Sequence, residues 1–168
     1  MRKLIFVICL ITVSQLFSQD KFKFKSIDYG IGTYKINNEH SALVLISAFD
    51  VTTSYKSNLL TLSNTIGFGF GKDEQSYIDL EGFYEITVLY GREFSIAKQF
   101  TLETHAGLGF ITQNNTTVQN ENQSYAIPFK VKLLYYTNDH FALGFNPNVS
   151  FNKINTIYSL NLILHFKF

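Results

Sequence analysis

Eight long runs of alternating apolar and polar residues predict an all-β protein, an eight-stranded antiparallel up-and-down transmembrane β-barrel. Three observations carry that reading. The runs fall at 26–36, 42–55, 59–71, 77–90, 100–112, 125–136, 140–152 and 156–168, with clusters of Asn, Asp, Gly, Ser and Lys between them. They reach about eleven to fourteen residues, whereas sandwich strands average about five or six and a tilted spanning strand needs about 9–11. Aromatics also collect near the run ends, at Tyr55, Tyr77, Tyr90, Phe100, Tyr125, Tyr135, Phe141, Phe151 and Phe168. At those depths a spanning barrel carries two interfacial girdles of rings.

Residues 1–18 read as a cleaved signal peptide, with 19–168 forming the barrel. Arg2 and Lys3 are the positive n-region, Leu4 to Val13 the apolar h-region and Ser14 to Gln19 the polar exit. The apolar stretch is far shorter than the roughly 20 residues of a spanning helix. The one cysteine, Cys9, lies inside the h-region, so the mature chain has neither disulfide nor thiol chemistry. Of 14 Lys and Arg, removal of Arg2 and Lys3 leaves 12 against 13 Asp and Glu, a net charge near −1. Lys21, Lys23 and Lys25 alternate with Phe22 and Phe24, a lead-in read as solvated and partly flexible, and too sparse a cluster for nucleic acid.

The runs then assign two faces, because side chains alternate along a strand. The first two are less regular, with Val44 and Ile46 on the polar side. In the third, Leu60, Leu62, Ile66, Phe68 and Phe70 oppose Thr61, Ser63, Thr65, Gly67, Gly69 and Gly71. These glycines make room for bulky neighbours such as Phe83. The fourth sets Ile78, Leu80, Tyr84, Ile86, Val88 and Tyr90 against Asp79, Glu81, Glu85 and Thr87. The fifth sets Phe100, Leu102, Ala106, Leu108 and Phe110 against Glu103 and His105, and the sixth sets Phe129, Val131 and Leu133 against Lys130 and Lys132. In the seventh, Phe141, Leu143, Phe145, Val149 and Phe151 oppose Asn146, Asn148 and Ser150, and Pro147 predicts a bulge or strand end. The eighth alternates Tyr158, Leu160, Leu162, Leu164, Phe166 and Phe168 with Ser159, Asn161, His165 and Lys167, and only Ile163 breaks the pattern.

With both termini periplasmic, the inner links are 56–58, 91–99 and 137–139, and the outer links 37–41, 72–76, 113–124 and 153–155. Gln113–Ser124 is the longest outer link, polar and free of Pro and Gly. It is expected to be mobile and is the candidate contact for an extracellular partner.

The signal, the eight runs and the closing aromatic resemble small outer-membrane β-barrel proteins of the OmpX and OmpA-barrel type, over essentially all of 19–168. Gln19 and the Asn-, Lys-, Phe- and Tyr-rich composition look like Bacteroidetes-type versions. That family ends on an assembly signal: a polar residue, glycine two places on, then two aromatics separated by one residue. Asn161, Phe166 and Phe168 match it, while Ile163 stands where glycine is usual. The resemblance implies outer-membrane lipid as surroundings and reading of the last strand by the barrel-assembly machinery.

The inferred lumen set comprises Asp28, Asp50, Asp79, Glu81, Glu85, Glu103, His105, Lys130, Lys132, His165 and Lys167. An eight-stranded barrel is just wide enough for side chains to fill it. The expectation is a structural ion-pair network that plugs the lumen, with a narrow channel for small or apolar solutes as the alternative. Relatives of this scaffold include lipid A deacylases and palmitoyltransferases, but the deacylase His-x-Ser pattern is missing: the histidines stand in His40-Ser41-Ala42, His105-Ala106-Gly107, His140-Phe141-Ala142 and His165-Phe166-Lys167. A non-catalytic structural or cell-surface role is therefore expected, with lipid modification as an alternative. There is no zinc-type Cys and His spacing and no glycine-rich phosphate loop, so neither metal nor cofactor is implied. A secreted lipocalin-like barrel stays open, because alternation alone does not say which face is outside.

Overall fold

The computed structural model describes residues 22–36, 43–72, 78–115 and 120–168. The proposed signal peptide 1–18, the link 37–41 and Tyr77 lie outside the described residues. Eight strands follow in chain order: β1 Lys23–Ile36, β2 Leu43–Tyr55, β3 Asn58–Lys72, β4 Ile78–Ala97, β5 Phe100–Asn115, β6 Asn120–Tyr136, β7 Phe141–Asn152 and β8 Thr156–Lys167. Each pairs antiparallel with the next, and β1 pairs with β8 from Ser26↔Lys167 to Ile36↔Ile157, closing the barrel. Closure removes the open sheet edges that would otherwise leave backbone groups unpaired.

The faces divide as period-two alternation requires. The exterior is apolar, with Leu108 67% and Tyr125 70% exposed, while Lys132, Glu103 and His165 are fully buried inside. A lipocalin needs the reverse, charge outside and apolar groups inside, so that alternative is excluded. Aromatic pairs ring both ends. At the end that bears the termini, Phe24 packs on Phe168 at 5.0 Å, Phe100 on Tyr135 at 5.0 Å and Phe141 on Phe166 at 5.2 Å between ring centres. At the far end, Phe110 packs on Tyr125 at 4.8 Å and Phe129 on Phe151 at 6.0 Å.

The interior is layered. Near the far end Tyr34, Ile36, Ile46, Phe83, Ile111, Ala126 and Ile157 form an apolar cluster, with Val44 packed against it. This is why Val44 and Ile46 fall on the lumen side: they cap it. A smaller cluster of Leu134, Ala142 and Ile163 lies towards the other end. Ile163, the break in the alternation of β8, sits between Gly30 and Gly144 on the neighbouring strands. A Cβ on either glycine would lie 3.1 or 3.2 Å from an Ile163 side-chain carbon, so the glycines make its socket. Gly67, likewise, faces Phe83.

Four local expectations are corrected. Lys23 and Lys25 belong to β1 and not to a solvated lead-in; Phe24 pairs with Thr53 and Ser26 with Thr52, so Lys25 is the extra residue of a bulge. The link expected at 91–99 is mostly strand, since Glu93 pairs with Glu103 and Phe94 with Leu102, leaving a tight turn at Lys98 and Gln99. Arg92 points out and Glu93 in, continuing the alternation. The link expected at 113–124 is also mostly strand, with Gln113↔Asn122, Asn114↔Glu121 and Asn115↔Asn120. Hydrophobic alternation fades where the apolar band ends, but backbone pairing continues. Pro147 makes no bulge: it pairs with Leu160 in β8, and the ladder to β6 skips from Lys130↔Asn148 to Leu133↔Phe145 in unchanged register.

Candidate functional site: the charged lumen

The lumen site is assembled from strands far apart in sequence. The bulge in β1 turns both Lys25 and Ser26 inward, where regular alternation allows one. The Lys25 ammonium thereby donates to Glu103 Oε1 at 2.5 Å and pairs with Glu93 at 2.8 Å. On the other side of Glu103, His105 Nε2 lies 3.2 Å from Oε2.

Above this pair is a denser cluster. Asp28 and Asp50 are direct partners across β1 and β2, an arrangement of like charges that needs cations between them. Lys132 reaches across from β6 to both, at 2.7 Å to Asp28 and 2.8 Å to Asp50. Lys130 lies 3.2 Å from Asp50 and donates to the Ser63 hydroxyl at 2.5 Å. His165 Nδ1 is hydrogen-bonded to Asp28 Oδ1, and its Nε2 is 3.1 Å from the Tyr136 hydroxyl. Higher still, Ser150 donates to Glu85 at 2.5 Å. Buried charges persist only when paired and hydrogen-bonded, because desolvation costs several kcal/mol per ion.

Of the residues singled out from sequence, Glu103, Lys130 and Lys132, with Asp28 and Asp50, form ion pairs in the interior, and His105 and His165 are hydrogen-bonded to Glu103 and Asp28. Glu85 is buried there too, but its partner is the Ser150 hydroxyl and it joins no ion pair among the described residues. Lys167 does not join: it is exposed at the end of β8, its ammonium 5.5 Å from the centre of the Tyr136 ring. One residue from the chain end, it has passed the rim. The side chains of Asp79 and Glu81 lie outside the described residues. Lys25, Glu93 and Tyr136 were missed, and Ser63 and Ser150 were placed on the polar face but not in the network. The bulge that aims Lys25 leaves no mark in the alternation, and the others are ordinary polar residues until a partner strand faces them.

The opposite wall is built differently. Asn146 and Asn161 are partners across β7 and β8, both buried, and among the described residues both Asn146 amide atoms and Asn161 Oδ1 lack a hydrogen-bond partner. His105 Nδ1 also lacks one among the described residues. Among the described residues no group of three or more His, Cys, Asp or Glu side chains could hold a metal ion. At the terminal strand, Asn161 faces the lumen while Phe166 and Phe168 point out, and the Phe168 amide donates to the Lys25 carbonyl at 2.9 Å.

No protein-family model matches the chain, and no curated protein matches it by sequence. Solved structures match it in shape. Neisserial surface protein A superposes with a TM-score of 0.72 at 10% identity, over 89% of this chain and 100% of that one. Ail, the attachment invasion locus protein of Yersinia pestis, solved with the heparin analogue sucrose octasulfate, gives 0.63 at 12% identity over 89% and 100%. The N-terminal β-barrel domain of Pseudomonas aeruginosa OprF gives 0.60 at 14% identity over 88% and 100%. The fold of this chain is that of the small eight-stranded outer-membrane β-barrels.

Proposed function

We propose that this protein is a non-catalytic outer-membrane barrel with a sealed lumen, which meets partners outside the cell through its β5–β6 ribbon. In this reading residues 1–18 are removed on export, 19–168 form the barrel, and both termini face the periplasm. Asn161, Phe166 and Phe168 are what the assembly machinery reads.

The observation that carries the proposal is where the polar groups go. In the lumen the lysines pair with carboxylates across the interior, and the apolar cluster around Phe83 caps them at the far end. The β5–β6 ladder, in contrast, continues to Asn115↔Asn120, whereas the β6–β7 ladder ends at Ala126↔Asn152. Residues 120–125 of β6 therefore pair with β5 alone, and their other edge is left to a partner. The Ail structure holds a heparin analogue. Here 113–124 contains Glu121 and neither Lys nor Arg, which suits a neutral hydrogen-bonding partner better than a polyanion.

The test replaces Gln113–Ser124 with a short Gly-Ser turn and compares both proteins, in nanodiscs, for binding to host-cell surfaces and neutral glycans. Binding by the parent that the replacement abolishes is the expected result; equal binding by both removes the ribbon from the proposal.

A further inference from the structure

Arg92 is an anomaly on the outward surface. It is exposed on the same face of β4 as Tyr84, Ile86, Val88, Tyr90 and Phe94, and it joins no ion pair among the described residues. Its guanidinium lies 5.7 Å from the centre of the Phe94 ring. A cation at the margin of the hydrocarbon reaches the headgroup layer, and guanidinium geometry matches phosphate. Phe94 and Ile96 are the outward residues between Arg92 and the turn at the terminus end, which sets Arg92 near headgroup depth.

Two grooves flank the neighbouring Tyr90, one of them lined by Arg92 itself and the other by its cross-strand partner Asn58. One, of about 320 Å³, is lined by Gly91, Arg92, Thr104, Ala106 and Phe129 among others. The other, of about 280 Å³, lies between Tyr55, Leu60 and Phe22. Tyr90 borders both and separates them as a ridge. The ridge is fixed, because the Tyr90 hydroxyl donates to Asn58 Oδ1 at 2.7 Å. That bond occupies the Asn58 oxygen and leaves its NH₂ group as a donor. Asn58 and Thr104 are the direct partners of Arg92 on the two flanking strands.

We propose that Arg92 and the grooves flanking Tyr90 bind one diacyl phospholipid. Its phosphate takes the guanidinium and the Asn58 NH₂ group, and one acyl chain runs along each side of the Tyr90 ring. The inference rests on the reading above that the terminus end lies in the periplasmic leaflet, where the anionic headgroups belong to phospholipids.

Native mass spectrometry of the folded protein in detergent tests it, with phosphatidylglycerol, diacylglycerol and lipid A offered separately. The probes are the parent, Arg92→Gln and Ala106→Phe, which fills one groove without altering charge; heat-dependent gel mobility confirms that each is folded. The parent is expected to retain one phosphatidylglycerol and no diacylglycerol. Arg92→Gln is expected to weaken retention by about tenfold or more, the value of a charge-assisted contact, and Ala106→Phe to weaken it as well. Equal phosphatidylglycerol retention by parent and Arg92→Gln, both folded, overturns the site and leaves the barrel reading intact. Selective retention of lipid A that Arg92→Gln loses overturns the phospholipid assignment, and with it the placement of the termini in the periplasm.

Discussion

Gly67 and Phe83 show how tightly single positions are specified. A Cβ on Gly67 would stand 2.1 Å from a Phe83 ring carbon, and that ring packs edge-on against Tyr34 at 5.1 Å between centres. Neither ring can retreat, because Ile46 and Ile111 belong to the same buried cluster. Gly67→Val is therefore expected to destabilise the folded barrel by about 1–3 kcal/mol, the usual cost of overpacking. Phe83→Leu in the same chain is expected to recover part of that loss, measured by urea unfolding in lipid vesicles. An equal loss in single and double variants would show that the ring is not the obstacle. The need for space here was legible in sequence, since Gly67 alternates into the face that carries Phe83. The socket for Ile163 was not, because Gly30 and Gly144 meet it only when β1 and β7 flank β8.

At the level of the element, the bulge in β1 matters most. It adds one inward position to a strand that otherwise alternates, and Lys25 fills it. Deleting Lys25 leaves Phe24 next to Ser26, restores strict alternation and keeps Ser26 onward in register with β2 and β8. The shortened protein is expected to fold, with its heat-dependent mobility shift retained. It is also expected to lose about 1–3 kcal/mol, because Glu103 and Glu93 lose their shared ammonium. Unchanged stability on urea unfolding would mean that Lys25 contributes nothing to the network. A bulge is invisible in the pattern because one extra residue near a strand end looks like the end itself, which is how Lys23 and Lys25 read as lead-in. Strand length was misjudged for a related reason: β4, β5 and β6 outrun their apolar segments, and only their partners' backbones hold them extended there.

For the molecule as a whole, the lumen contents decide whether the barrel conducts. Lys130 and Lys132 bridge from β6 to Asp50 and Asp28 on β2 and β1, Lys25 bridges from β1 to Glu103 on β5, and an apolar layer caps the far end. A hydrated path would have to separate these pairs, each desolvated at several kcal/mol. Planar-bilayer recordings of the purified protein are expected to give no discrete conductance steps. Regular steps at moderate voltage would favour the narrow-channel alternative.

What the sequence determined by itself is the strand count and which residues of a regular strand share a face, while which face is outside came from burial in the closed barrel. The first two follow from a period of two, a local property of extended backbone that any eleven-residue stretch displays on its own. The tertiary structure alone decided which charges meet. Lys132 and Asp28 are 104 residues apart, and Lys25 and Glu103 are 78 apart. Their contact depends on closure and register of all eight strands, a constraint that acts on the ring as a whole and writes no pattern into any one strand.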